Sequence, residues 1–368
     1  MPTPVTAIGE QTTLAHRKRR AGQRLLLSLA EPELNADQRA LLRQLTPAGF
    51  ALDPGGASEP AQLRELAAEL AARLSPSVPP ILAARHAVGR PCHGCSEQPP
   101  MAWLVRADDP QLTGAVGRAW RQELAALGFH LHLAPSCELE ALAGEPVPGL
   151  GAEPGAQLVG PDAQRAARTL SAFVRDDERA ACAACPSLCQ GWLAEGRLVS
   201  HEKELPGLLA EELAPVDAAV RMGVPALLVG WGRWPAFDED RPAWCVPALL
   251  EGQLRGRLGF RGLLLAEDPD LAAGAEGLQR HRLLRAGLEA GLDLWVLGPG
   301  CERQLEIFEA LVKLQERRPG LDLAIDESQK RLLRGRERLM LHRPRPGAEV
   351  LDSPAHRELV LLARARGG

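Results

Sequence analysis

The chain has 368 residues, of which 45% are apolar and 24% are charged, and its formal net charge at pH 7 is −4. This composition is ordinary for a globular protein, and the small net charge indicates no general attraction to nucleic acid. No apolar run reaches the roughly eighteen residues that would span a bilayer, so no membrane segment is expected. No secretory signal is recognised, and a cytoplasmic location is expected.

Short apolar runs alternate with amphipathic helical patterns along nearly the whole chain, which is typical of a parallel sheet covered by helices. Asn35 can cap the first of these helices, and Pro60 stands in the first turn of the second. The predicted strands are residues 24–29, 49–52, 80–84, 129–133, 226–230, 262–265 and 292–297. The predicted helices are residues 35–45, 58–74, 112–127, 161–175, 208–222, 247–258, 276–290 and 301–318.

Seven clear strands and one weak one, each followed by a helix, predict a single closed (β/α)8 barrel, a TIM-like α/β fold. The weak fifth strand is expected near the second cluster of cysteines, where ligation would replace the ordinary strand pattern. The predicted organisation is a solvated N-terminal arm over 1–23, the barrel over 24–318, and a C-terminal helix and tail over 319–368. A doubly wound open sheet is the alternative. The first strand is not followed by a Gly-x-Gly-x-x-Gly turn, which argues against the nucleotide-binding version of that fold.

Five of the eight cysteines lie in two short clusters. Two residues between cysteines allow both sulfurs to face one metal ion or neighbouring corners of an iron–sulfur cube. The pattern predicts a metal site, expected on the loops after the strands, that draws four ligands from Cys92, Cys95, Cys182, Cys185 and Cys189. A four-iron, four-sulfur cluster is favoured over zinc because the second cluster has a third cysteine. Buried cysteines without a metal are the alternative, and a stable disulfide is not expected in a reducing compartment.

Several segments resemble one enzyme family. The segment Glu59-Pro-Ala-Gln-Leu-Arg-Glu-Leu66 resembles the second-helix segment of the bacterial β-N-acetylhexosaminidases of glycoside hydrolase family 3. The run from Arg241 to Gly262 is similar, without a gap, to the R-P-A-S…P…L…L-R…L-G-F-D-G run of that family, and Asp293 ends a segment similar to its A-G-x-D. The resemblance covers about residues 24–318 and implies a barrel with an O-glycosyl hydrolase site.

The same resemblance implies positions for two catalytic residues. The carboxylate nucleophile of the family lies in an S-D-D-L turn, which reads Ala-Glu267-Asp268-Pro in this chain. Glu267 is therefore expected at the nucleophile position, one methylene longer than aspartate, and nucleophilic attack is sensitive to such a displacement. The acid/base dyad of the family lies in a D-S-H segment, in which Val199 replaces the aspartate and His201 is retained. His201 is expected to be the acid/base, since imidazole titrates near neutrality.

The resemblance also implies changed sugar-binding positions. The D-Q-E-G-G-R-V turn of the family aligns with residues 85–91, so Arg85 stands where the family has an acid, while Arg90 is kept. Glu138 stands at the carboxylate of its A-P-V-x-D-V segment, and Trp231 replaces a histidine. Arg90, Glu138 and Trp231 are therefore expected in the substrate pocket.

Together these features predict a family 3-like barrel that is inactive or altered as a glycosidase and that carries a Cys-ligated iron–sulfur cluster or zinc. The alternative is an active β-N-acetylglucosaminidase that hydrolyses cell-wall fragments by a retaining mechanism with Glu267 and His201. A third hypothesis is a non-catalytic protein that binds a saccharide or peptide against Trp231 and Trp234. An amino sugar or cell-wall fragment is the expected ligand, and no nucleic-acid or membrane partner is expected.

Overall fold

The computed structural model describes residues 13–74, 79–85, 88–139, 145–146, 159–175, 181–194, 197–271, 279–340 and 344–368. Its strands are β1 Leu25–Leu27, β2 Gly49–Leu52, β3 Ile81–Ala84, β4 Leu131–His132, β5 Glu145–Pro146, β6 Ala183–Ala184, β7 Ser187–Leu188, β8 Trp192–Ala194, β9 Arg197–Leu198, β10 Ala226–Val229, β11 Leu263–Glu267 and β12 Leu294–Leu297. Its α-helices are α1 Leu14–Gly22, α2 Ala36–Gln44, α3 Pro60–Arg73, α4 Met101–Ala107, α5 Pro110–Ala126, α6 Ala163–Phe173, α7 Leu205–Gly207, α8 Ala214–Arg221, α9 Arg280–Glu289, α10 Cys301–Arg317, α11 Asp322–Met340 and α12 Pro354–Gly367. Two π-helical segments, Leu208–Glu212 and Ala248–Arg257, complete the helical layer.

Nine of these strands form one parallel sheet in the order β6-β4-β3-β2-β1-β12-β11-β10-β7. A small antiparallel sheet in the order β5-β8-β9 lies outside it. Asn35 caps α2 as predicted, because its side chain accepts from the Gln38 amide at 2.9 Å and the Gln38 side chain accepts from the Asn35 amide at 2.8 Å. The predicted (β/α)8 barrel is confirmed, and residues 272–278, which include the predicted start of α9, lie outside the described residues.

The fifth strand of the barrel is broken into β6 and β7, with Cys185 and Pro186 between them. The Cys185 amide donates to His132 in β4 at 2.7 Å, whereas the Pro186 carbonyl accepts from Leu228 in β10 at 2.9 Å. The strand therefore joins both ends of the sheet and closes the ring. Proline cannot donate to a ladder, which explains the break and the weak strand pattern. The expectation that the second cysteine cluster lies on a loop after a strand is wrong for Cys182 and Cys185, which lie at the two ends of β6.

Side chains alternate between two buried layers along each strand. Leu26, Ile81, Leu228 and Leu265 belong to the interior of the barrel. Their neighbours along the strands, such as Leu27, pack in the outer layer under the helices. Each fully buried leucine contributes about 1.5–3 kcal/mol relative to an exposed one, so the two layers hold the strand ends, and the loops after them, in fixed positions.

Helix α11 closes the amino-terminal end of the barrel. Leu332 and Leu339 belong to the interior layer, and Gly335 lies so close to Leu263 that an added Cβ would be 2.7 Å from it. Asp293, in the segment similar to the family's A-G-x-D, has no exposed side-chain surface. Its carboxylate accepts from Arg255 at 2.8 Å, Ser328 at 2.6 Å and Arg331 at 2.8 Å. These bonds attach α11 to the start of β12.

The described residues at both ends of the chain differ from the predicted arm and tail, and residues 1–12 of the predicted arm lie outside the described residues. Residues 14–22 form α1, and its Arg20 is buried against Asp322 at 2.9 Å and Asp326 at 2.6 Å. The basic residues of α1 are thus not all solvated, because Arg20 pairs with two carboxylates of α11. The tail forms α12, which packs against α4 and α5. Among the described helices, none is both long enough and apolar enough to cross a membrane.

Candidate functional site

A cleft of about 400 Å³ opens at the carboxyl ends of β1, β2, β3 and β12. This end of a (β/α)8 barrel carries the active site in essentially every characterised enzyme of the fold. Leucines of β2, α3 and the loop after β11 supply its apolar wall. Its charged and hydroxyl groups come from Ser28, Glu31, Asp53, Arg85 and Arg303.

Glu267, at the expected nucleophile position, ends β11 and is 4% exposed. Its Oε1 lies 3.9 Å from Nη2 of Arg85 and has no hydrogen bond to the residues that the structure describes. Burial raises the pKa of Glu267 to about 7; the charge of Arg85 opposes this rise and that of Asp268 adds to it. Arg85 lines the cleft and Glu267 does not, so a ligand in the cleft meets the guanidinium before the carboxylate.

Asp268, the residue directly after β11, accepts hydrogen bonds from several donors. Its carboxylate accepts from the amide of Gly298 at 2.8 Å, the amide of Asp270 at 3.0 Å and Nη1 of Arg303 at 2.6 Å. Burial raises the pKa of Asp268, although these bonds and the charge of Arg303 oppose the rise. Asp268 therefore fixes the turn after β11 and positions the Arg303 side chain at the cleft.

Trp231, expected in the substrate pocket, has no exposed surface. Its indole Nε1 donates to the carbonyl of Asp268 at 3.2 Å, and its ring packs edge-on against Trp244 with 5.4 Å between centroids. Trp234 is also buried. Both tryptophans are therefore packed beneath the surface, and neither lines the cleft.

His201, the expected acid/base, has a carboxylate partner, although Val199 replaces the aspartate of the family's dyad. Its Nε2 lies 3.3 Å from Oε1 of Glu212, and Lys203 Nζ lies 2.7 Å from the same oxygen. Burial works against ionisation of Glu212, but the hydrogen bonds and charges of His201 and Lys203 hold its pKa below the ordinary value. A carboxylate that accepts from one imidazole nitrogen orients the ring, which is the role of the acid in an acid/base dyad.

Glu138, also expected in the pocket, is buried on the loop after β4. Its Oε1 accepts from the Gln190 amide at 2.8 Å. Burial raises the pKa of Glu138 to about 7; the bond from Gln190 and the charge of His201 lower it, and the charge of Glu212 raises it. Glu138, His201 and Glu212 therefore form one polar neighbourhood, whose members do not line the cleft.

Arg90 lies on the loop after β3 and away from the cleft lining. Its Nη1 donates to the Cys95 carbonyl and lies 3.8 Å from the Asp352 carboxylate. Arg90 thus connects the loop that carries Cys92 and Cys95 to the segment before α12.

Cys92 and Cys95 are in direct contact, with 3.3 Å between their sulfurs. Gly94 adopts a φ of +87°, which permits the tight turn between them. The hydrogen bond with Cys95 holds the pKa of Cys92 below its ordinary value, and the same bond, with burial, raises that of Cys95.

The second cysteine cluster is divided between the two layers of the barrel wall. Cys185 packs in the interior, whereas Cys182 and Cys189 pack in the outer layer. Among the described residues, which include all five predicted ligands, no group of three or more Cys, His, Asp or Glu side chains could hold a metal ion. This arrangement does not fit a four-thiolate centre, and the metal itself stays a prediction.

Comparison with known proteins agrees with this barrel. Residues 195–334 match the model of the glycosyl hydrolase family 3 N-terminal domain. A β-hexosaminidase of Methylococcus capsulatus is 27% identical over 78% of this chain and 86% of its own length, and one of Stenotrophomonas maltophilia R551-3 is 29% identical over 80% and 87%. A solved family 3 β-N-acetylglucosaminidase of Paenibacillus sp. FPU-7 superposes with a TM-score of 0.82 at 26% identity, over 95% of this chain and 68% of that one.

The fold and the position of the cleft define a (β/α)8 barrel with a carboxylate-bearing site at the carboxyl ends of its strands. Within that class, the chain is similar to the glycoside hydrolase family 3 barrels of the bacterial β-N-acetylhexosaminidase type, and its catalytic motifs diverge from theirs.

Proposed function

We propose that this protein binds an amino sugar or a cell-wall fragment in the cleft, and that its retaining glycosidase chemistry is lost or altered. The observation that carries this proposal is the position of Arg85, which lines the cleft and stands 3.9 Å from the carboxylate of Glu267. The similar proteins are β-hexosaminidases and a β-N-acetylglucosaminidase by name, which supports a hexosamine as the ligand.

Retaining hydrolysis requires an ionised carboxylate that reaches the anomeric carbon. The burial that raises the pKa of Glu267 to about 7 leaves only part of this group ionised at neutral pH. The Arg85 guanidinium attracts the remaining negative charge and lies on the ligand side of it. Both effects act against attack by Glu267.

The cleft retains groups that suit a sugar. Ser28, Asp53 and Arg85 can exchange hydrogen bonds with hydroxyl or acetamido groups, and leucines offer an apolar surface beside them.

An active β-N-acetylglucosaminidase is the second candidate, and the His201–Glu212 pair favours it. The pair restores an imidazole with an orienting carboxylate from a different part of the chain. In this alternative, His201 is the acid/base and Glu267 the nucleophile.

The eight cysteines are all free thiols. Free thiols are typical of a reducing compartment, which supports a cytoplasmic location. A thiolate-bound metal is part of the proposal only at Cys92 and Cys95, whose sulfurs are already in contact.

Two measurements on the full chain test the proposal. Calorimetric titration with N-acetylglucosamine should show saturable binding that Asp53→Asn weakens and Glu309→Gln, an exposed change on α10, does not. Hydrolysis of an aryl N-acetyl-β-glucosaminide should stay at the background rate. Wild-type hydrolysis that Glu267→Gln abolishes would establish the second candidate instead, and the absence of both sugar binding and hydrolysis would overturn both.

A further inference from the structure

A short loop that does not line the candidate cleft carries two neighbouring cysteines. It spans residues 89–98, between β3 and α4, and we call it the dithiol loop. Gly89 and Gln98 close its base through two backbone hydrogen bonds of 2.9 and 2.7 Å. Cys92 and Cys95 lie between these ends, with 3.3 Å between their sulfurs. The closed loop therefore keeps the two thiols together.

Buried hydrogen bonds attach the second half of the dithiol loop to the helices around it. The amide and the hydroxyl of Ser96 donate to the carboxylate of Glu123 on α5, at 2.9 and 2.6 Å. The same carboxylate accepts from the amide of Asp352 at 3.1 Å and lies 2.8 Å from Nδ1 of His356. Cys95, directly before Ser96, is therefore held in a fixed position beside its partner.

The surroundings of this pair suit a reaction that needs two thiols and no third ligand. Among the residues that the structure describes, no group of three or more Cys, His, Asp or Glu side chains could hold a metal ion. A disulfide needs two sulfurs only. Its bond is about 2.05 Å long, so a small rotation of the Cys92 and Cys95 side chains would bring the sulfurs to bonding distance.

We propose that Cys92 and Cys95 form a reversible redox site, which small-molecule disulfides of the glutathione class oxidise to an intramolecular disulfide. Cys92 is 5% exposed and Cys95 has no exposed surface, so Cys92 is the sulfur that an incoming disulfide meets first. Disulfides in a reducing compartment are commonly transient and redox-sensing, which agrees with thiols that are free in the structure.

The exchange takes place in two steps. Cys92 loses its proton, and its thiolate attacks one sulfur of the incoming disulfide; that S–S bond breaks, and the first small thiol leaves with a proton. Cys95 then loses its proton and attacks the Cys92 sulfur, which breaks the mixed disulfide and releases the second small thiol. Two cysteine thiols are thus oxidised to one disulfide, and one small disulfide is reduced to two thiols.

Thiol mapping of the full-length native protein tests this site. The protein is equilibrated with reduced and oxidised glutathione in increasing proportion of the oxidised form, quenched with acid, unfolded and alkylated. Peptide mass spectrometry should show that Cys92 and Cys95 together lose alkylation and are joined by a disulfide. Both should be alkylated again after excess reduced glutathione is added. The buried Cys137 and Cys245 should stay alkylated throughout.

Two variants test the order of the steps. Cys95→Ser should retain glutathione on Cys92 as a mixed disulfide, because no second thiol is left to release it. Cys92→Ser should retain about tenfold less, since exchange depends on access to the attacking thiol and Cys95 is buried. Cys301→Ser is the control, because Cys301 is a partly exposed cysteine on α10, and it should leave the Cys92–Cys95 disulfide unchanged.

Cysteines that both stay alkylated at every proportion of oxidised glutathione would overturn the proposal, whether or not a bound metal protects them. A disulfide from either sulfur to a different cysteine would also overturn it, as would equal retention of glutathione by Cys92→Ser and Cys95→Ser. The wild-type peptides report the disulfide directly, so the test does not depend on the folding of the variants.

Discussion

Arg85, which lines the cleft, stands 3.9 Å from Glu267 at the carboxyl end of the barrel, and the side chains are 12% and 6% exposed. The alignment of motifs that identified both residues gave no information on whether they meet. Their contact places a cation in front of the expected nucleophile. It also joins two departures from the family pattern, Arg85 in place of an acid and Glu267 in place of an aspartate.

Replacement of Glu267 by glutamine should stabilise the protein increasingly as pH rises. Burial raises the pKa of Glu267 to about 7, whereas a glutamate in an unfolded chain ionises near pH 4.3. Between these values the unfolded chain releases a proton that the folded chain keeps, so wild-type stability falls. Urea unfolding should show a relative gain for Glu267→Gln of up to about 3 kcal/mol between pH 4.5 and pH 7.5.

Glu309→Gln, on the exposed face of α10, is the control for that series and should show no such trend. A difference between Glu267→Gln and wild type that stays constant across this pH range would contradict the raised pKa.

Local patterns in the sequence predicted most of the barrel. The bounds of β2 were correct to the residue, and Asn35 caps α2, because apolar runs and capping side chains act through near neighbours. The weak fifth strand was predicted near the second cysteine cluster, but its break into β6 and β7 was not, since Pro186 and small residues interrupt the apolar run. Helix α12 was also missed in an arginine-rich tail, because its burial depends on α4 and α5.

The candidate site was only partly predictable. Motif resemblance located Glu267 and His201, but it could not reveal Glu212, whose acidic neighbour Glu211 makes the segment look like a solvated helix face. The convergence of the cysteines depends on which face of a strand each side chain occupies. Cys182 and Cys185 have metal-ligand spacing in sequence, yet they pack on opposite sides of the barrel wall.

Glu212→Gln should destabilise the protein by about 1–3 kcal/mol at neutral pH, because the buried carboxylate bonds to both His201 and Lys203. These partners hold its pKa below the ordinary value, so the stabilisation is present above about pH 4.3 and is lost as the pH falls through the lower folded pKa. Urea unfolding at several pH values measures both effects.

The adjacent Glu211→Gln is the matched control for that change. Glu211 is exposed and pairs with Lys203, so its loss should change the free energy of unfolding by less than about 1 kcal/mol. Equal effects of the two variants would contradict the assignment of Glu212 as the partner that orients His201.

Any metal that the protein binds should depend on Cys92 and Cys95. Their sulfurs lie 3.3 Å apart, whereas Cys182 and Cys185 are divided between two layers. Iron and zinc analysis, with an absorption spectrum after anaerobic purification, should show metal in the wild type that Cys92→Ser and Cys95→Ser remove. Cys301→Ser, at the partly exposed start of α10, should leave it unchanged. A colourless wild type free of both metals would contradict the metal prediction.

Gly335→Ala should destabilise the barrel by about 1–3 kcal/mol, because an added methyl group would overpack the interior. Its Cβ would lie 2.7 Å from Cδ1 and 2.8 Å from Cγ of Leu263, whose fully buried side chain would have to move within the interior layer. Gly320→Ala is the control, since nothing lies within 4 Å of the Cβ it would add. Urea unfolding measures both free energies. If Gly335→Ala unfolds at the wild-type urea concentration, α11 does not close the barrel as closely as the structure shows.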